Sequence, residues 1–299
     1  MQGPAGTDKT QGGWLPSAII AGCAAFWGLY WIPLRETEAL GVPPIWSVAL
    51  FNMPLIFCSF AVFLWCFRAN RAVMGKVVIA GVLAGAGLAL YGMGLMLTTV
   101  VRATLLFYLT PVWGTLIGMA VLGERPGLRR WIALVCGIAG LVLTIGLTPA
   151  DLNLVFGVGE AVGLASGLVW AMAATMMRGA GGLPSSGTAF FQFFTAGIVT
   201  AVFALSMGEG PLTADLIQRA VNWYLIIGAS IMFITIYLIF NVIGMVSPGR
   251  SGLLMMTEVV VAVFSAAILI PEEALSFWEW IGAAMIIGAG VIEVTGAEA

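Results

Sequence analysis

The sequence contains no histidine. That removes the commonest metal ligand, general base and neutral-pH proton carrier from any reading of its function. Charge is almost as scarce: 9% of the 299 residues are Asp, Glu, Lys or Arg, against about 25% in an ordinary soluble domain. A water-soluble surface cannot be built from so little charge, so lipid must surround most of the chain. The net charge of −2 suggests neither a nucleic-acid partner nor an acidic tail, and no nucleic acid is expected. Cys23, Cys58, Cys66 and Cys136 show neither C-x-x-C spacing nor a disulfide framework. There is no Walker motif to bind ATP, no metal-ligand cluster and no Asp-rich motif, so no cofactor is expected and an enzyme is not.

What the chain has in abundance is apolar sequence, 61% of its residues. A bilayer-crossing helix needs about 20 mostly apolar residues at about 1.5 Å each. Such segments recur at roughly 14–34, 45–66, 76–98, 102–122, 128–147, 155–177, 187–207, 221–241, 250–270 and 278–296. The expected fold is therefore an all-α membrane protein with ten transmembrane helices, since barrel-type alternation is absent. Ile20-Ala21-Gly22-Cys23 resembles a lipoprotein cleavage box, but the chain continues as Ala24-Ala25-Phe26-Trp27-Gly28, so the stretch is read as membrane span.

The basic residues set the orientation. Lys9, Arg68, Arg71, Lys76, Arg125, Arg129, Arg130, Arg178 and Arg250 fall on the N-terminal tail (1–13) and the even connections, and Arg35, Arg102 and Arg219 on the odd ones. The positive-inside rule then places both termini in the cytoplasm.

Internal similarity divides the chain. Glu124–Val142 reads ERPGLRRWIALVCGIAGLV and Glu273–Val291 reads EALSFWEWIGAAMIIGAGV, so that at a constant offset Glu124 meets Glu273 and Trp131 meets Trp280. Trp27 and Trp170 form a weaker pair. Five spans separate the matching segments, and an odd number inverts the second half. Two inverted five-helix repeats, 14–147 and 155–296, are expected.

Pro111, the Leu-Gly-Glu-Arg-Pro turn at 122–126 and the W-I-x-x-x-x-G-I-x-G helix beginning at Trp131 resemble the EamA-type drug/metabolite transporters over nearly the whole chain. The second half departs from this pattern: its turn reads Ile270-Pro271-Glu272-Glu273, and Val260 stands where the first half has Pro111. The aromatic and methionine content is similar to the YddG type, which exports aromatic amino acids. The resemblance implies a secondary transporter in the cell (inner) membrane, alternating around a cavity lined by spans 1, 3, 4, 6, 8 and 9.

On those spans, Trp27, Tyr91, Tyr108, Trp113, Trp170 and Tyr237 lie away from the span ends. Buried Trp and Tyr combine apolar walls with polar handles, and their faces suit planar or cationic substrates. Glu258 is an ionisable residue inside a span, an expensive placement that marks function; it can meet a substrate ammonium, carry a proton, or serve structurally. Asn241, with Asn52 and Gln192, is a polar lining or a helix-to-helix hydrogen bond. Arg102 and Arg250 can meet a carboxylate or snorkel to the interface. Glu124 and Arg125 read as a turn-stabilising pair. Gly81 and Gly85 allow close helix approach.

The expected partners are a small amphipathic substrate and the lipid bilayer, with no obligate protein partner. Two alternatives remain: efflux of drugs or organic cations driven by proton exchange at Glu258, and a membrane enzyme acting on lipids.

Overall fold

The computed structural model describes residues 14–122, 127–144, 156–179, 183–242, 245–246 and 254–296. The tail 1–13, Glu124, Arg125, Arg250 and the ends 145–147 and 155 of the expected repeats lie outside the described residues. Among the described residues there are helices, turns and no strand.

The chain begins with α1 (Trp14–Trp27) and α2 (Trp31–Ala39), then α3 (Pro44–Trp65), the short α4 (Phe67–Arg71) and α5 (Met74–Leu97). It continues through α6 (Val100–Phe107), α7 (Thr110–Leu122) and α8 (Leu128–Thr144). Next come α9 (Val158–Gly179), α10 (Ser185–Ser206), the short α11 (Ala214–Ala220) and α12 (Trp223–Val242). Last are α13 (Thr257–Leu269), a 3₁₀ turn at Pro271–Glu273, and α14 (Phe277–Gly296). Among the described residues, six stretches are long and apolar enough to cross a bilayer: Trp14–Ala39, Pro44–Trp65, Met74–Leu97, Val158–Met177, Ser185–Ser206 and Trp223–Val242. Four shorter apolar stretches accompany them: Val100–Gly114, Trp131–Thr144, Thr257–Leu269 and Phe277–Ile292.

The helices differ from the expected spans where the backbone is interrupted. The first span runs on to Ala39 rather than stopping near residue 34, because Pro33 falls in the first turn of α2, where its missing N–H has no partner to lose. The join is a tightened turn, with Leu29 N–H bonded to Phe26 O and Tyr30 N–H to Trp27 O at 3.0 Å each. The fourth span breaks at Tyr108–Leu109. Pro111 cannot donate to the Phe107 carbonyl, and the Thr110 hydroxyl donates to that carbonyl instead at 2.6 Å. In the ninth span, α13 starts only after a turn at Met256.

Lipid supplies no hydrophobic drive between helices, so close backbone approach must hold the bundle. α5 lies against α9 and α10, α3 against α10, and α8 against α14. A Cβ on Gly81 would stand 2.5 Å from Phe191 Cβ of α10. One on Gly140 would stand 2.7 Å from the Gly282 carbonyl, and one on Gly282 2.8 Å from the Gly140 carbonyl. Phe57, Val202 and Ile268 face outward, as lipid-facing side chains should. Trp14, Trp65 and Trp223 are exposed at helix ends, where an aromatic belt belongs. Trp46 departs from that pattern: it is buried, and its indole donates to Gly210 O at 2.9 Å. Beside it, Glu209 accepts from the N–H groups of Ile45 and Trp46 at the start of α3, a carboxylate at the positive end of a helix.

Candidate functional site

The three interruptions bring their residues together. The Tyr108 hydroxyl, at the break after α6, contacts the start of the α13 span twice, bonding Met255 O at 3.0 Å and Glu258 Oε2 at 2.9 Å. It thus occupies a carbonyl beside one helix break and a carboxylate just past it. Glu258 is 5% exposed, and among the described residues no Lys or Arg pairs with it. Glycine makes the third approach possible, since a Cβ on Gly28 would stand 2.5 Å from the Glu258 carbonyl.

A row of rings extends from this pair. Phe107 meets Tyr108 edge-on at 5.4 Å between centroids, stacks on Tyr91 at 4.6 Å and meets Trp170 edge-on at 6.2 Å. Tyr91 continues to Tyr30 at 6.3 Å, and Tyr30 to Phe51 at 5.0 Å. Tyr91 and Thr104 share a hydroxyl–hydroxyl bond of 3.1 Å. The arrangement offers one carboxylate, stacked π faces and several hydroxyls in apolar surroundings, a combination suited to a flat molecule carrying a positive group.

Of the residues singled out from sequence, Tyr91, Tyr108, Trp170 and Glu258 therefore meet in one cluster. Trp27 lies to its side: its indole donates to Thr235 Oγ1 of α12 at 2.8 Å. With Tyr30 and Phe51 it lines a crevice of about 180 Å³ between α1, α2 and α12. Tyr237 packs on Phe233 of its own helix at 5.0 Å, and Asn241 is exposed with its amide turned back to Tyr237 O. Trp113 has a buried indole N–H without a partner, and among the described residues no ring contact or hydrogen bond joins it to the row. Asn52 donates to Val48 O of its own helix.

Sequence reading passed over Phe107, Tyr30 and Thr104. Phe107 has no polar handle to mark it, and Tyr30 sits beside Trp31, inside a stretch read as uninterrupted span. The signal for Tyr30 was Pro33, three residues on.

One end of the bundle carries charge. Arg35 Nη2 donates to Thr98 O at 3.0 Å and lies 3.8 Å from Glu273 Oε1. Glu273 Oε2 accepts from the Val101 N–H at the start of α6. Burial pushes the Glu273 carboxyl above its ordinary pKa, against the lowering pull of that N–H and of Arg35. Arg102 pairs with Glu279 at 3.1 Å. Thr98 donates to Glu160, whose other oxygen accepts from Gly157 N–H at 2.9 Å. These contacts tie α2, α6, α9 and the α13–α14 turn together.

Comparison with known proteins gives a consistent fold. A search of curated proteins finds no match. Sixteen chains of solved structures match. One, described only as the crystal structure of a protein, superposes with a TM-score of 0.57 at 22% identity, covering 94% of this chain and 97% of that one. At that identity the likeness concerns the fold alone. The model of the EamA-like transporter family matches twice, over residues 15–146 and again over 157–294. The two matches take in nearly every helix described above, so the chain is a multi-pass membrane protein and belongs to the EamA-like transporter family.

Proposed function

We propose that the chain is a secondary transporter exporting small amphipathic metabolites, aromatic amino acids foremost, by alternating access around the ring row. In this reading ten spans form two inverted halves in the cell (inner) membrane, with both termini cytoplasmic. The observation that carries it is Glu258, a buried carboxylate held by Tyr108 at the meeting of two broken spans and opening onto stacked rings. Broken spans supply polar backbone at bilayer depth only where protein or a cavity receives it, which is where transporter sites lie. A substrate ammonium pairs with Glu258 while its ring lies along Phe107, Tyr91 and Trp170. The Tyr108 hydroxyl shares its hydrogen between the Met255 carbonyl and the Glu258 carboxylate, which holds the carboxylate in place without supplying a countercharge.

A second reading rests on the same carboxylate. With no histidine in the chain, proton exchange would run through a carboxyl, and Glu258 could alternate between a proton and an organic cation. Efflux from proteoliposomes loaded with labelled tryptophan, threonine or methyl viologen separates the two. Selective tryptophan release supports the amino-acid reading; viologen release alone, lost in Glu258→Gln, supports cation efflux. Release of none of the three overturns both.

A further inference from the structure

At one end of the bundle, four carboxylates of the second family match reach across to donors of the first. Glu279 pairs with Arg102 at 3.1 Å, and Glu273 lies 3.8 Å from Arg35 while accepting from the Val101 N–H. Glu160 accepts from Thr98, and Glu209 from the N–H groups of Ile45 and Trp46. Among the described residues no other ion pair crosses between the two matches. Cations and N–H groups thus stand on one half and carboxylates on the other, so this end closes as two complementary faces. Burial follows the same division. From Val100 to Leu106 every residue but Arg102 is buried, whereas Phe107, Tyr108, Thr110 and Trp113, at and beyond the break in the span, are half-buried. The ring row is therefore covered on the α6 side, where the carboxylates lie, and less covered on the α7 side.

We propose that Arg102–Glu279 and Arg35–Glu273 form a latch that holds this end of the transporter shut and parts when substrate leaves the ring row on that side. The inference rests on the alternating-access reading above and assigns the residues that close one of its two ends. The side chains of Arg102 and Glu279 keep 19% and 18% of their surface exposed. A pair that keeps water costs far less to separate than a fully buried one, which suits a contact made and broken in every cycle. Because each partner sits on a different half, rocking one half against the other separates both pairs at once.

Val101 is 2% exposed and bonded to Glu273, so a cysteine placed there reports opening. In lipid nanodiscs, with Cys58, Cys66 and Cys136 replaced by serine, Val101→Cys should react slowly with a charged maleimide. Adding Arg102→Met or Glu279→Gln should speed that reaction roughly 5-fold or more. Cys23, 5% exposed in α1, should stay unreactive throughout and is the check on folding. Unchanged rates overturn the latch, and so does a rise shared by Cys23, since the pair would then merely hold the fold. A second arm reads transport. Arg102→Cys with Glu279→Cys, bridged by a reducible bis(methanethiosulfonate), should lose tryptophan efflux from proteoliposomes and recover it on reduction. Efflux that continues through the bridge overturns the latch. If the wild type releases no tryptophan while the labelling rates rise as expected, the latch stands and the amino-acid reading fails.

Discussion

The Tyr108 hydroxyl serves two acceptors, the Met255 carbonyl and the Glu258 carboxyl group, and the second is ionisable and buried. Removing one partner of such a bond leaves the other desolvated, which costs about 1–3 kcal/mol or more for a charged group. Tyr108→Phe should therefore lower the melting temperature of the protein by several degrees and remove most of the transport rate. Trp27 makes the contrast. Its indole bond to Thr235 is neutral, and Thr235 donates its own hydrogen to Ile231 O, so losing the indole leaves no buried charge behind. Trp27→Phe should cost about 1 kcal/mol, and a melt of both variants side by side should rank them in that order. The residue types at these positions were legible in the sequence: a tyrosine and a carboxylate inside apolar spans invite attention. Their pairing was not legible, because the two stand 150 residues apart and only the crossing of two broken helices joins them.

Breaks and crossings decide where the elements can place those side chains. Pro111 was visible in the sequence, but a lone proline does not say whether a span bends, stops or splits. The answer lies in Thr110, whose hydroxyl takes up the carbonyl that Pro111 leaves free. Asn241 shows the opposite limit: its place on the chain suggested a lining role, and its helix turns it outward, onto Tyr237 O. At the crossing of α8 and α14, Gly140 and Gly282 face each other's carbonyls closer than any Cβ tolerates. Gly140→Val should force the pair apart at a cost of about 1–3 kcal/mol or more, measured as a lower melting temperature. The α13–α14 turn carries a pH dependence. Burial raises the Glu273 carboxyl above its ordinary pKa, so its contribution to stability is fully present below the unfolded carboxyl's pKa and is lost as pH rises through the raised value. Glu273→Gln should thus melt higher than the wild type at neutral pH. The advantage should vanish as pH falls below the raised pKa; a constant difference across the range would contradict it.

At the scale of the whole molecule, the two family matches carry unlike third helices. In the first, α5 contains Gly75, Gly81, Gly85, Gly87, Gly92 and Gly94 and nests against α9 and α10. In the second, α12 has Gly228 alone, with Ile, Leu and Phe elsewhere. Openings of about 500 Å³ and 180 Å³ flank it, one towards α3 and α11, the other towards α1 and α2. The helical class and the family were legible from hydropathy and a short repeated turn, because both are properties of local sequence. This asymmetry was not, since it depends on which glycines find a partner helix. The central claim is that Tyr108 and Glu258, one from each half, act as a unit on the substrate. Its most direct measurement is a double-mutant cycle on tryptophan efflux from proteoliposomes, using Tyr108→Phe, Glu258→Gln and both together. Each single variant should lose most of the rate and the double variant little more, a coupling of about 1 kcal/mol or greater. Additive losses, or a single variant exporting at the wild-type rate, would contradict it.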